Sequence, residues 1–582
     1  MPPTIDPRKA FPRRFVPPDA DAGRWAEIER IGTALVRRTP RSVEELREWV
    51  AEAGELAACV SEAGARLYIA MTSQTDDPER ERAFLDFVRE VRPRWRALSQ
   101  RLDEAYLHTP HRAALPAYYH LLDRRVETRV ALYREENLPL KVREEELGQQ
   151  YQKLRGAMTV VYRGREHTLQ EMARYLQDPD RAIRQETWAL TQERWGVERE
   201  AMEGLFDQLR EVRLAIARNA GFVSYRDYAF RALQRFDYGP AECRQFQDAV
   251  AALFVPLAGE IIRERQRLLA VDTMRPWDLE VDPLRRPPLP EFERTADLLD
   301  RCEAVFGRVR PEFGEFFQFM REEGLLDLER RKGKAPGGYQ QTLAERRVPF
   351  IFANVAPAED VRTLLHEAGH AFHALAAREQ ALLAYRDAPI EFAEVASQGM
   401  ELLSASSLGT IYPEAEDARR ALRALLEGIL MPKGMPWIAT VDAFQHWLYT
   451  HADHTPKERR AAWLSIHRRF IPWLDWSGHE EALASSWHAQ LHIFLLPFYY
   501  IEYGVAQQGA LQIWLRAAQA SPIEAVEGYR AALALGGSRP LPDLFAAAGA
   551  RFAFDEETMA PLARALGEAL AQVPYGRDDT AS

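Results

Sequence analysis

The chain has 582 residues, 47% of them hydrophobic, and a net charge of −11 spread without long blocks of one sign. That balance gives no electrostatic footing for a nucleic-acid partner, which calls for a basic face. No run approaches the roughly 18 apolar residues of a membrane span, and the opening stretch MPPTIDPRKAFPRRFVPPDA has charge but no apolar core of a signal peptide.

Cys59, Cys243 and Cys302 are few, odd in number and far apart. They fit a reducing, cytoplasmic compartment, and no CxxC pair offers a metal site. From Trp25 to about Phe230 the sequence is charge-rich and helix-forming, with periodic apolar residues and short turns, as in VEELREWVAEAGELAACV. Residues 181–219 read as a long helical run with Gly221 just beyond as a C-cap neighbour. Length alone suggests about four domains, yet no repeat or low-complexity tract divides the chain. The strongest punctuation is the proline-rich 276–290 segment, which reads as a surface loop or connector inside one body. Arg330-Arg331-Lys332, balanced by Asp327 and Glu329, reads as solvated loop. The expected fold is mainly α with a small sheet.

Residues 347–354, RVPFIFAN, read as a strand of apolar and aromatic residues. Pro349 would confine it to a sheet edge, where an extended peptide can add as a further strand. The pattern suits a core strand equally well.

Next come His366, Glu367, Ala368, Gly369 and His370, which spell HExxH. With 14 histidines in 582 residues, chance supplies roughly 0.03 copies. On a helix, positions i and i+4 share one face, so two imidazoles can grip one Zn²⁺ while the intervening glutamate serves as general base toward its water. Val361, Leu364, Leu365, Ala368, Phe372 and Leu375 follow the helical period and predict a buried seam. Asp360, shortly after Pro357, is the expected N-cap, and Gly369 is expected to leave the metal side open. A catalytic zinc wants a third protein ligand. The metzincin position, ten residues after His366, is Ala376, and His373 would strain a tetrahedron. Downstream, Glu391, Glu394, Gln398 and Glu401 share one face of a second helix-like segment. Spacing alone leaves all three carboxylates open.

His492 precedes a helix that Pro497 is expected to open at an N1-like position. Tyr499 and Tyr503, at i and i+4 there, would face one point, with Tyr500 turned about 100° away. From the residues alone an aromatic core stripe is the favoured reading. His108, His111, His120, His446, His451, His454, His467 and His479 lack ligand spacing on a shared helix and read as surface or capping groups. Trp473 and Trp476 read as core.

Four ordered segments, VPFIFANV, DVRTLLHEAGHAFH, EFAEVASQGMELL and LHIFLLPFYYIEYGVAQQGALQIW, run from Val348 to Trp514. Together they resemble the thimet oligopeptidase/oligoendopeptidase F family of zinc metallopeptidases, and most closely its oligoendopeptidase F and Pz-peptidase branch. Weaker echoes lie in IARNAGFVSYRDY and in Pro276-Trp277-Asp278. The resemblance implies two helical lobes around a deep substrate channel, with a zincin-like core and a small β-sheet beside the HExxH helix. It implies an N-terminal helical region over 1–190 and a catalytic region over 191–582, with the zinc core at about 345–515. It implies one Zn²⁺ per chain held by His366, His370 and Glu394, the last 28 residues after His366. Glu367 would be the general base. His492, Tyr499 and Tyr503 would be donors to the oxyanion, with Tyr500 in reserve and the choice of tyrosine open. The implied activity is internal cleavage of short oligopeptides, with no nucleic-acid or membrane partner. A peptidyl-dipeptidase of the same wider family and a catalytically idle zinc- or peptide-binding protein are the alternatives.

Overall fold

The computed structural model describes residues 5–354 and 360–576. Among these residues helices dominate, and five strands form two small sheets: β1 (Thr159–Tyr162), β2 (Arg165–Thr168), β3 (Leu326–Asp327), β4 (Gly337–Leu343) and β5 (Val348–Asn354). The chain divides into two compact units, each built from three separate segments. The first comprises residues 1–131, 289–425 and 506–552, and the second 132–288, 426–505 and 553–582.

In the first unit the Val43–Ser73 helix starts at Ser42, whose hydroxyl accepts the Glu45 N–H. That satisfies one of the orphan donors at a helix start. Leu46, Trp49, Leu56 and Cys59 on one side of it join a core with Tyr106, Tyr119 and Tyr385. The sheet of this unit runs β3-β5-β4, with β4 antiparallel to β5 and β3 parallel to it. Of the two readings open for this strand, the edge suggested by Pro349 fails and the core strand holds: β5 is central, with β3 and β4 at the edges. Pro349 is tolerated because alternate residues point their N–H groups to the same side. Ile351 donates to the Leu325 carbonyl on the β3 side. The N–H that Pro349 lacks would face that same side, beyond the start of the two-residue β3. Lys334 ties the sheet together: its Nζ donates to the carbonyls of Asp327, Glu329 and Ala353 and to Asp327 Oδ1.

The second unit holds a hairpin that the sequence reading missed. Arg163 and Gly164 join β1 to β2 with φ of 50° and 75°, the two left-handed residues that a type I′ turn requires. The helical run over 181–219 is two helices, Arg181–Val197 and Arg199–Asn219, parted at Glu198. Gly221 stops the second with φ 84° and an N–H to the Arg218 carbonyl. The 276–290 segment departs from a plain surface loop at its start. Pro276, Trp277 and Asp278 are buried, and Asp278 receives the guanidiniums of Arg181 and Arg184. The continuous helix Pro240–Leu269 is long and apolar enough to cross a membrane by length and composition, but its most apolar stretch is 56% buried, which suits a core helix. His454 and His467 are buried and His446 is 11% exposed, so of the surface or capping roles expected the surface one does not hold for these three, while His454 Nδ1 meets the His451 carbonyl just past a helix end.

Candidate metal centre

The HExxH motif lies on the helix Asp360–Ala377, and its predicted seam is buried at all six positions. Phe372 anchors it, stacked on Phe313 at 5.1 Å and edge-on to Phe306 at 5.0 Å. The expected cap at Asp360 and its neighbour Pro357 lie outside what the structure describes of side chains. One turn apart, His366 and His370 hold their rings 5.0 Å from each other.

The carboxylates come from the helix Ile390–Ser404. Gly369 brings the two helices together. A Cβ there would stand 2.5 Å from the Ala396 carbonyl oxygen and from Ser397 Cα, so only glycine permits this backbone contact. The residue expected to leave the metal side open instead closes a helix–helix interface. That contact fixes the register and sets Glu394 opposite the histidines, with Oε2 at 3.5 Å from His366 Nε2 and 3.8 Å from His370 Nε2. One donor atom of each of the three residues lies within 4.8 Å of the others.

Two imidazole nitrogens and one carboxylate, converging from two packed helices, fit a divalent ion of the zinc type. The surroundings orient each donor. Ser397 Oγ donates to Glu394 Oε2 at 3.0 Å. His366 Nδ1 meets Glu401 Oε1 at 2.7 Å, and Arg362 Nε donates to the other Glu401 oxygen at 2.9 Å. Such a carboxylate behind a histidine fixes its tautomer and raises its basicity. The three glutamates that spacing left equivalent thus separate: Glu394 faces the histidines, Glu401 stands behind His366, and Glu391 is buried outside the three-donor group. Sequence reasoning missed the role of Glu401 because it exists only across helices. His373 is buried as well, with Phe392 6.3 Å away.

Glu367 is 8% exposed, beside the edge strand. Burial pushes its carboxyl up to about 7, and Glu394 adds to this, while His366 and the Gln340 backbone N–H pull it back. At His366 burial opposes protonation, yet Glu401, Glu394 and Glu367 bring the imidazole up to about 9. The protein's own groups therefore make an anionic nest around His366, where a cation is stabilised.

His492 and the tyrosines belong to the second unit. Pro497 does not open a helix. The chain leaves the short helix Leu491–Leu495, passes through Phe498 at φ 67°, and starts the next helix only at Ile501. Tyr499 and Tyr503 therefore do not share a helix face, and Tyr500 does not turn away. All three rings gather on His492, at 5.7, 4.8 and 5.9 Å for Tyr499, Tyr500 and Tyr503. Trp437 Nε1, which can only donate, occupies Gln490 Oε1 at 3.0 Å, so the Gln490 amide nitrogen faces His492 Nδ1 at 2.7 Å. Nδ1 accepts, and burial pushes His492 down to about 4. At neutral pH His492 is uncharged and carries its proton on Nε2 as a donor.

Residues 174–565 match the family described as Peptidase family M3. Among curated proteins, "Oligoendopeptidase F, chromosomal" of Lactococcus lactis subsp. cremoris is 27% identical over 173 residues, 29% of this chain and 27% of that protein. "Oligopeptidase PepF" of Bacillus subtilis (strain 168) is 24% identical over 263 residues, 44% of this chain and 38% of that protein. The matched stretch thus spans well under half the length of these curated relatives. Solved structures match over far more. A structure described as an oligoendopeptidase F superposes with a TM-score of 0.87 at 28% identity, covering 95% of this chain and 97% of the other. Pz peptidase A, solved with an inhibitor, gives 0.86 at 26%, covering 94% and 98%.

Proposed function

The chain belongs to peptidase family M3, and on that premise we propose that it is a zinc-dependent endopeptidase cutting internal bonds of short oligopeptides in the cytoplasm. One observation carries the reading: two helices bring donors of His366, His370 and Glu394 within 4.8 Å of one another, with the buried carboxyl of Glu367 on the same helix. One zinc ion would be held by those three residues, and when bound it supplies Lewis acidity toward the scissile carbonyl and toward water.

The chain's own residues do the rest. Glu367 takes a proton from the attacking water and delivers it to the leaving amine nitrogen. A carboxyl raised by burial toward neutral pH suits a group that must both accept and release a proton. Glu401 and Arg362 hold His366 in its tautomer, and Ser397 holds the Glu394 carboxylate. The outer edge of β4, next to Glu367, suits pairing with an extended substrate backbone. For His492 with Tyr499 or Tyr503, the role of donors to the developing oxyanion rests on the family resemblance. A neutral imidazole carrying its proton on Nε2, ringed by phenols, has the chemistry for it.

The decisive assay uses an internally quenched peptide blocked at both termini, with and without chelator. Cleavage that stops with the chelator and returns with zinc supports the reading. Cleavage only when the C-terminus is free would replace it with a peptidyl-dipeptidase. A metal-loaded protein that cuts neither peptide would be a binding protein.

A further inference from the structure

Three buried groups in the second unit take no part in the proposed peptide hydrolysis. Cys243 belongs to the helix Pro240–Ala249, and Asp442 and His446, four residues apart, to the helix Met435–Thr450. One ligand atom of each lies within 4.8 Å of the others. Cys243 and Asp442 are fully buried, and the His446 Nε2 atom is sealed from solvent. Gln247 Nε2 donates to Asp442 Oδ2 at 2.7 Å, which leaves Oδ1 facing His446 Nε2 at 3.6 Å. That separation is too long for a hydrogen bond, and neither atom has a partner among the described residues. A folded core rarely leaves two such atoms unsatisfied, because each carries a desolvation cost with nothing to offset it.

We propose that Cys243 Sγ, Asp442 Oδ1 and His446 Nε2 are three ligands of a second Zn²⁺, in a buried site distinct from the HExxH centre. Two light-atom ligands at about 2.0–2.2 Å from zinc, at tetrahedral to trigonal angles, stand roughly 3.3–3.7 Å apart. The Asp442–His446 spacing of 3.6 Å fits that span. Thiolate and carboxylate together cancel the charge of the dication, so no net charge is buried. The nearby Arg235 is balanced separately by Glu502 at 2.8 Å, both 1% exposed. Sulfur, nitrogen and oxygen donors in one set favour zinc over magnesium or calcium. Phe230 and Phe498 wall the His446 ring at 5.7 and 5.4 Å, and Gln247 is the outer partner that aims Asp442. On binding, Cys243 releases its thiol proton to solvent.

The test separates the two sites by sulfur. Full-length protein is produced in cobalt-supplemented, zinc-depleted medium and analysed for metal content and for near-ultraviolet thiolate-to-cobalt absorption. The HExxH centre has no sulfur ligand, so that band reports the second site alone. The expected result is two equivalents of cobalt and a sulfur band. Cys243→Ser should keep one equivalent and lose the band, whereas Glu394→Ala should keep the band. His446→Gln, which retains the thiol, should also drop to one equivalent, and it stands in if Cys243→Ser does not fold. One equivalent without a sulfur band in the unaltered protein would overturn the proposal. So would a band that survives Cys243→Ser or His446→Gln.

Discussion

Glu367 can be changed without touching a metal donor, which makes it the sharpest single-residue probe. Glu367→Gln should keep its metal and lose roughly 10²-fold or more in kcat, since a general base contributes at least that much. A variant retaining more than about a tenth of the turnover, with metal content measured in parallel, would remove Glu367 from the role. The three glutamates of the second helix give a graded series. Glu394→Ala should lose metal and activity together, Glu391→Ala should keep both, and Glu401→Gln should weaken metal binding by roughly 10–100-fold, as losing an outer partner does. If metal titration found Glu391→Ala to be the depleted variant, the ligand set would be wrong. His366, His370 and Glu367 were legible in five residues because local helix geometry places them. Glu394 and Glu401 were not separable that way: both lie on one face of one helix, and what distinguishes them is the helix opposite.

Gly369 makes that distinction at the scale of elements. With Ala396 O and Ser397 Cα 2.5 Å from any added Cβ, Gly369→Ala must push two backbones apart, since neither atom belongs to a flexible side chain. The expected cost is roughly 1–3 kcal/mol of stability, as for other overpacked cores. More telling is a metal affinity reduced at least about tenfold, because Glu394 moves with its helix while the histidines stay. Unchanged metal affinity in a folded Gly369→Ala would show that the helix contact does not set the donor geometry. The small sheet makes a pH prediction. Asp327 is partly buried, yet Arg331, Lys334 and Ser73 overcome the cost of burial and hold its carboxyl down at about 2. A depressed carboxyl contributes stability above the unfolded pKa of about 4, and that contribution is lost as pH falls from there toward 2. Burial also lowers Lys334, so the pair yields less than the Asp327 shift alone. Asp327→Asn should therefore cost about 1–2 kcal/mol at pH 7 and clearly less at pH 3.5, read as the wild-type-to-variant difference in urea midpoints. A difference that does not shrink on acidification would show that Asp327 contributes by packing. The strand after this sheet's turn was legible as a strand, but its central place was not. Pro349 signalled an edge, and only the shortness of β3 leaves room for its missing N–H.

At the scale of the molecule, the chain leaves the first unit after residue 131, returns at 289, leaves again after 425 and returns at 506. This interleaving explains why composition showed no boundary: no unit is a continuous stretch with its own sequence character. The helical class of the fold was legible because helical periodicity is local, whereas the assignment of segments to units depends on contacts hundreds of residues apart. The helices that carry His366, His370 and Glu394 belong with the sheet wholly to the first unit, and that unit makes a prediction about substrate size. Seven residues of β4 form the sheet edge beside Glu367, about 23 Å of backbone. A substrate that pairs with this edge needs free amides along a comparable length, so peptides of roughly 5–20 residues should be cut internally. A folded protein has those amides already paired and should be inert at equal molar concentration. Casein, which is long but unfolded, separates two causes of selection. If the site is enclosed, as the resemblance to oligopeptidases implies, casein should be spared along with folded proteins. Cleavage of casein but not of folded protein would assign the selection to strand pairing alone. Ready digestion of an intact folded protein would contradict both, and the chain would then be a general protease with an open cleft.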